Sequence, residues 1–511
     1  MTTRGKDSLF VLVKSLTKSE KRLFKVYVGR LEGNTDSKFL TLFNFLDKSE
    51  HYQEAEIIRR GIVSKRQLSN LKAHLYKQIL TSLRLSPIHQ DIRTFLREQM
   101  DYASILYRKG LYSQSLKVLD KAKIKALENH ENIIAYQIIE FEKLIESQFI
   151  TRSIASRADA LSMEAKELSQ KNVVASKLSN LSLQLYGLML KTGYVKNDKE
   201  QVFLQTYFEA RLPVIDWSSI GFREKLWFYK AHLWYSLMNQ DFLNAYKYAN
   251  KWVHLFYEYP KMIEVNPVFF LKGYNYLLEA LFLVKSSKRL RKNILKLEKL
   301  VNSEGFPNQA NTRALCFLYL SANTYNWYFL TGEFEKGLPV IKQTLVGIEN
   351  YRGYIDNHHI MVLYYKIACL YFGSGNTEDC LKYLQKIIQN KSLKMREDLM
   401  CFARILSLVA LFELERFYEL ELQLKQTYKF LIKMDDLYAV QREIIAFLRH
   451  LKHVDPLRIR VEFKKLYQRL KKFEDHPYEK RAFLYLDILS WLQSNIQNVP
   501  ISQIIGLKNS V

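Results

Sequence analysis

Glycine and proline are scarce in this chain, 17 and 9 among 511 residues. With so few turn and break residues, long regular segments are expected. Apolar residues recur at helical spacing with no sustained alternation, which points to helix rather than strand. Disorder is excluded on the same reading, because 48% of the residues are hydrophobic. The four cysteines, Cys316, Cys369, Cys380 and Cys401, have no CxxC spacing. Buried free thiols are therefore expected, not disulfides or a thiolate metal site. No apolar run approaches the roughly 18 residues needed to span a bilayer. Leu9–Val13 is closed by Lys14, too short for a secretory leader. The expectation is a cytoplasmic protein without membrane insertion.

Catalytic patterns are missing as well. Gly373-Ser-Gly375-Asn lacks the lysine of a phosphate-binding loop, and neither HExxH nor GxSxG occurs. His358-His359 and the pair His450 and His453 have no cysteine or acid at metal-ligand spacing. No catalytic, cofactor-binding or metal-binding residue is nominated, and a non-enzymatic role is expected.

Acid is the last deficit: 52 Asp and Glu against 77 Lys and Arg, a net charge of +25. Such an excess suits RNA, DNA, an anionic membrane surface or an acidic protein. Lysine nonetheless outnumbers arginine about two to one, and Ile, Asn, Tyr and Phe are abundant. An A/T-rich coding sequence gives that composition, whereas surfaces that read phosphate lean on arginine.

Residues 1–86 read as a helical head. Thr17-Lys-Ser-Glu20 fits a capping box that opens a helix to about Arg30, and Gly33–Asp36 reads as a turn. Phe39, Leu42, Phe43 and Leu46 keep helical spacing. Ser64 is placed at the cap of a long helix with Leu68, Leu71, Leu75 and Ile79 on one face and Arg66, Lys77 and Arg84 on another. After Gly61, that basic helix fits a DNA-reading helix-turn-helix or, more plainly, a capping helix with a solvated face. The head resembles uncharacterised helical bacterial proteins, which implies no function. Pro87 ends it.

Beyond the head one pattern recurs. Asn326–Ile341 and Ala368–Leu384 each carry an aromatic (Tyr328, Tyr371) and a glycine four residues on (Gly332, Gly375). A small residue follows five later (Gly337, Cys380), then leucine. Tyr112 with Ser115, and Phe242 with Ala245, repeat the pattern's second half, as Phe334 does. The pattern resembles the tetratricopeptide repeat. That resemblance implies an all-α, right-handed solenoid of helical hairpins, with Phe334 between the two helices of its hairpin. It also implies a partner groove lined by the first helix of each hairpin.

Phased two residues after the turn, the repeats fall at Tyr112, Ile154, Val195, Phe242, Leu290, Phe334, Thr377, Phe417 and Leu457. The steps are 40–48 residues, wider than the roughly 34 of a standard repeat. Trp227 and Trp234 are expected as filler between helices. The organisation is then a head (1–86), a hairpin array (91–435) and a basic C-terminal hairpin with a cap (436–511). After Asp455-Pro456 come Arg458, Arg460, Lys464 and Lys465. Tyr478–Ser494 reads as a helix, and Pro500–Leu507 as a lid over the last hairpin.

The densest basic stretch is Lys285–Lys299. As one helix it aligns Lys285, Lys288, Lys292, Lys296 and Lys299 opposite Leu290, Ile294, Leu297 and Val301. Repeat phasing instead puts a turn near residues 287–289, leaving Lys292, Lys296 and Lys299 as the stripe. The expected function is a non-catalytic scaffold that binds a protein or peptide in the solenoid groove. The rivals are RNA, ribosome or DNA binding through the basic surfaces, and a signalling regulator whose head reads DNA.

Overall fold

The computed structural model describes residues 7–30, 38–86, 91–148, 156–390, 397–433, 439–451, 458–479, 483 and 487–509. Gly33–Asp36, Pro87, Ile154, His453, Asp455-Pro456, Leu457 and the side chain of Phe39 lie outside the described residues. The described residues form twenty-five α-helices and no strand. Among them, no helix is long and apolar enough to cross a membrane. Residues Met1–Ser169 make one compact unit and Gln170–Val511 another.

The first unit holds α1 (Ser8–Ser15), α2 (Lys18–Gly29), α3 (Lys38–Lys48), α4 (Glu54–Arg59) and α5 (Lys65–Arg84). These share an apolar core running from Leu9 to Ile79. The capping box of α2 forms as expected: Glu20 N donates to Thr17 Oγ1 at 3.2 Å and Thr17 N to Glu20 Oε2 at 2.6 Å. Helix α5 buries Leu68, Leu75 and Ile79 and leaves Arg66, Lys77 and Arg84 exposed. Ser64 occupies its N-cap position, but the hydroxyl makes no cap bond. Next come α6 (Ile92–Arg108), α7 (Tyr112–Glu128), α8 (Asn132–Gln148) and the start of α9 (Arg157–Thr192). Ser115 is small enough for α6 and α7 to close, and its Oγ donates to Ala103 O at 2.8 Å.

The second unit continues from α9 through α10 (Asp198–Glu209), α11 (Phe222–Met238), α12 (Phe242–Glu258), α13 (Lys261–Val265), α14 (Pro267–Leu283) and α15 (Ser287–Val301). It goes on with α16 (Ala310–Thr331), α17 (Phe334–Asn350), α18 (Asn357–Gly373), α19 (Thr377–Ile388), α20 (Glu397–Glu413) and α21 (Phe417–Lys433). The last helices are α22 (Ala439–Leu451), α23 (Ile459–Lys471), α24 (Ile488–Gln497) and α25 (Ile501–Asn509). Five hairpins stand out: α11/α12, α14/α15, α16/α17, α18/α19 and α20/α21. Successive first helices also touch one another, α14 on α16, α16 on α18 and α18 on α20.

One turn geometry generates these hairpins. Gly110, His130, Gln240, Lys285, Gly332, Gly375 and Glu415 all have φ between 54° and 81°. Each lies two residues before a helix start. Past most of them a backbone N–H returns to the carbonyl five residues earlier, as from Asp241 to Ser236 and from Ser286 to Leu281, both at 2.9 Å. Glycine adopts this left-handed conformation freely, whereas a side chain there costs about 1–2 kcal/mol. His, Gln, Lys and Glu hold it here, so four of the seven turns carry no glycine signal.

Three expectations are corrected in consequence. Leu290 is not two residues past its turn; the turn is Lys285, the helix starts at Ser287, and Leu290 is fully buried. Val195 follows left-handed Gly193 by two residues, but its N–H donates to Met238 O at 3.0 Å and the helix starts only at Asp198. Where a hairpin was expected between Ile154 and Val195, α9 runs 36 residues without a break.

The C-terminal segment does not lie over the last hairpin alone. It reaches back along the turn edges of earlier hairpins in the second unit. Glu474 stands 4.0 Å from Lys285 Nζ, and Gln240 Nε2 donates to Tyr478 O at 3.3 Å. Trp491 Nε1 donates to Glu413 Oε1 at 2.5 Å, beside the Glu415 turn. Helix α25 packs on α16, so closely that a Cβ on Gly332 would stand 2.7 Å from Ser502 O. Tyr478 lies in a turn, 2.5 Å from Asp198 Oδ1, and the expected helix begins only at Ile488.

Candidate functional site

The first helices α11, α14, α16 and α18 are mostly apolar, so polar residues on them stand out. On α14, Phe269, Lys272, Asn275 and Glu279 are spaced three, three and four residues, which puts them on one face. Asn323 and Asn326 stand on α16, Lys366 on α18, and Trp227 and Lys230 on α11.

Five of these side chains form a directed hydrogen-bonded chain. Lys366 Nζ donates to Asn326 Oδ1. Asn326 Nδ2 donates to Asn323 Oδ1 at 3.1 Å, Asn323 Nδ2 to Asn275 Oδ1 at 2.8 Å, and Asn275 Nδ2 to Glu279 Oε1 at 2.8 Å. The three asparagines and Lys366 are buried. Burial draws the Lys366 ammonium down to about 8, a shift that Glu279 opposes. Every amide in the chain is used by its neighbour, so the chain fixes the register of α14, α16 and α18 rather than offering donors to a ligand.

The other end of the stripe is unsatisfied. The Trp227 and Phe269 rings meet edge to face at 5.6 Å. Lys230 Nζ sits 4.5 Å from the centre of the first ring and 5.7 Å from that of the second. Lys272, three residues past Phe269, lies 6.0 Å from the Tyr186 ring. Burial, reinforced by the charge of Lys272, draws Lys230 down to about 8. Burial lowers Lys272 too, against the pull of Glu279. Among the described residues neither ammonium has a carboxylate at ion-pair distance. Two desolvated like charges without a counter-ion are costly in the free chain, and an anion placed between them would relieve both.

The basic residues nominated from sequence divide into two groups. On α15, Lys288, Lys292, Lys296 and Lys299 are exposed opposite buried Leu290, Ile294, Leu297 and Val301. Lys285 is not part of that face, because it occupies the turn and faces Glu474. On α23, Arg458, Arg460 and Lys464 are exposed, and Lys465 is paired with Glu462 at 2.6 Å. Lys465 also lines a cleft of about 810 Å³ between α22 and α23, where Arg469 pairs with Glu443 at 3.0 Å.

The repeat residues take their places in the hairpins. Tyr112, Phe242 and Phe334 each start a second helix, and Ala245 and Cys380 are fully buried. Gly332 and Gly375 make left-handed turns. Gly337 faces Leu370, where an added Cβ would come within 2.9 Å. Phe334 lies against Phe329 of its own hairpin, but its tightest seat is Gly373 of the next, where a Cβ would stand 2.4 Å from the ring. None of the four cysteines is in a disulfide, and burial pushes Cys316 up to about 11 and Cys369 up to about 12. Among the described residues no group of three or more His, Cys, Asp or Glu could hold a metal ion.

Lys230, Lys272 and the asparagine chain were not singled out from sequence. Their legible signal was an aromatic three residues before a lysine (Trp227/Lys230, Phe269/Lys272) on helices otherwise apolar. Trp227, expected as filler, is half-exposed. No family model matches the chain, and no curated protein and no solved structure is similar to it.

Proposed function

We propose that the chain is a non-catalytic adaptor. Its hairpins at residues 222–433 form a tetratricopeptide-like solenoid, and their first helices hold an extended, acidic segment of a partner protein. One observation carries this reading: among the described residues Lys230 and Lys272, half-buried on adjacent first helices, have no carboxylate at ion-pair distance and are walled by Trp227, Phe269 and Tyr186. A carboxylate-bearing segment would supply the missing charge, and the rings would hold its apolar stems. The asparagine chain from Lys366 to Glu279 supports the reading by keeping successive first helices in register.

The test is site-specific photocrosslinking in native lysate. A benzophenone side chain at Trp227 should give discrete protein adducts that one at Tyr418, 87% exposed on α21, does not. The adducts should disappear when Lys230 and Lys272 are changed to Gln. The same adducts from both positions, or adducts indifferent to the lysine changes, would refute the assignment.

A further inference from the structure

Helix α15 departs from a pattern that the helices after it, α17, α19, α21 and α23, keep. A helix N-terminus carries partial positive charge and favours acids in its first turn. Glu335 stands there in α17, Glu378 and Asp379 in α19, Glu419 in α21 and Glu462 in α23. The first turn of α15 has no acid and carries Lys288 and Arg289 instead. Some cations on these helices have acidic partners nearby, such as Lys336 with Glu333, Lys382 with Asp379 and Lys465 with Glu462. Lys288, Arg289, Lys292 and Lys299 are exposed and have none among the described residues, and Glu298, the one acid of α15, pairs with nothing.

Lysines one turn apart stand about 5–6 Å from each other, within a Debye length of about 8 Å in physiological salt, so their fields add into a line of charge. Two flat rings flank that line. Arg291 Cζ lies 4.6 Å from the Trp327 ring and Lys296 Nζ 4.2 Å from the Tyr257 ring, and both rings are half-exposed. A row of cations bordered by cation-covered aromatic faces suits a chain that alternates phosphate with a stackable base. An acidic peptide would match the charge, but it carries no planar group beside each anion to stack against the rings.

We propose that the exposed face of α15 binds single-stranded nucleic acid, with its phosphates on Lys288, Lys292 and Lys299 and its bases stacked beside Trp327 and Tyr257. This surface does not depend on the partner site of the first helices and stands or falls separately.

The test measures binding of fluorescein-labelled 15-mers of oligo(U) and oligo(dT) to the full chain by anisotropy across a salt series. Lys288→Glu/Lys292→Glu/Lys299→Glu should weaken binding at 50 mM salt by on the order of tenfold or more. The slope of log K against log salt should fall by about 2, from roughly 0.7 per phosphate contact. Lys→Gln changes at the same positions should act in the same direction, which guards against misfolding of the triple Glu variant. Arg460→Glu/Lys464→Glu/Lys465→Glu on α23 should leave the slope alone. Preference for one strand would tell RNA from DNA with the site intact. An unchanged slope in both α15 variants, or full displacement of the strand by poly-glutamate at equal charge, would overturn the assignment.

Discussion

Glu142 shows how much a single buried residue can decide. It is fully buried on α8, and its Oε2 accepts from Lys123 at 3.1 Å and Arg157 at 2.9 Å. Asp120 and Glu164 complete the cluster, at 3.4 Å from Arg157 and 2.8 Å from Lys123. Among the described residues its Oε1 is buried without a hydrogen-bond donor. Burial, only partly offset by Lys123, pushes the carboxyl from 4.5 up to about 7. The folded chain therefore holds this proton more tightly than the unfolded chain. The resulting stabilisation is complete below about 4.5 and is lost as pH rises through about 7. Across that window the loss is about 3 kcal/mol at most. Glu142→Gln cannot ionise, so denaturant unfolding of this variant between pH 5 and 8 should lack that component of the slope. Equal pH dependence in both proteins would show that Glu142 stays ionised. Helical spacing marked α8 as a helix, but nothing in sequence joined Glu142 to residues 19 and 15 positions away.

At the level of elements, glycine has two separate jobs, and only one was legible. The turn glycines Gly332 and Gly375 announced themselves by their spacing to an aromatic. The seat glycines did not. Gly273 lies under Trp252, Gly347 under Phe317 and Gly373 under Phe334, where an added Cβ would come within 2.7, 2.1 and 2.4 Å of the ring. Inside a helix, glycine gives up about 1 kcal/mol relative to alanine, and close aromatic packing offsets that loss. Phe334→Ala should cost about 3–5 kcal/mol, since the ring is 5% exposed. Gly373→Ala alone should overpack by about 1–3 kcal/mol. Together they should cost less than the sum, because the new methyl enters the space the ring leaves. Strict additivity in thermal melts of the three variants would separate the two positions. The phasing error at Leu290 belongs to the same scale. Lys285 makes its turn with a side chain that disfavours it, and the phasing slipped there, although Phe242 and Phe417 still fall two residues past the Gln240 and Glu415 turns.

For the molecule as a whole, helix content and the hairpin sequence were readable because they follow from local periodicity. The course of the C-terminal segment was not, because its partners are turn edges such as Gln240 and Gly332, more than 150 residues earlier in the chain. The lysine pair on α11 and α14 was equally hidden, since Lys230 and Lys272 read in sequence as two more lysines among many. What distinguishes them is placement: desolvated, next to each other and, among the described residues, without a carboxylate at ion-pair distance. The most direct measurement of the central claim follows Lys230 and Lys366 by lysine-selective ¹³C NMR titration, with and without a glutamate-rich peptide. In the free chain both should titrate near 8. With the peptide bound, Lys230 should rise toward the ordinary lysine value of about 10.4 as an anion answers its charge, while Lys366, engaged by Asn326, stays where it was. A Lys230 that titrates at the ordinary value in the free chain, or does not move when peptide is added, would contradict the account.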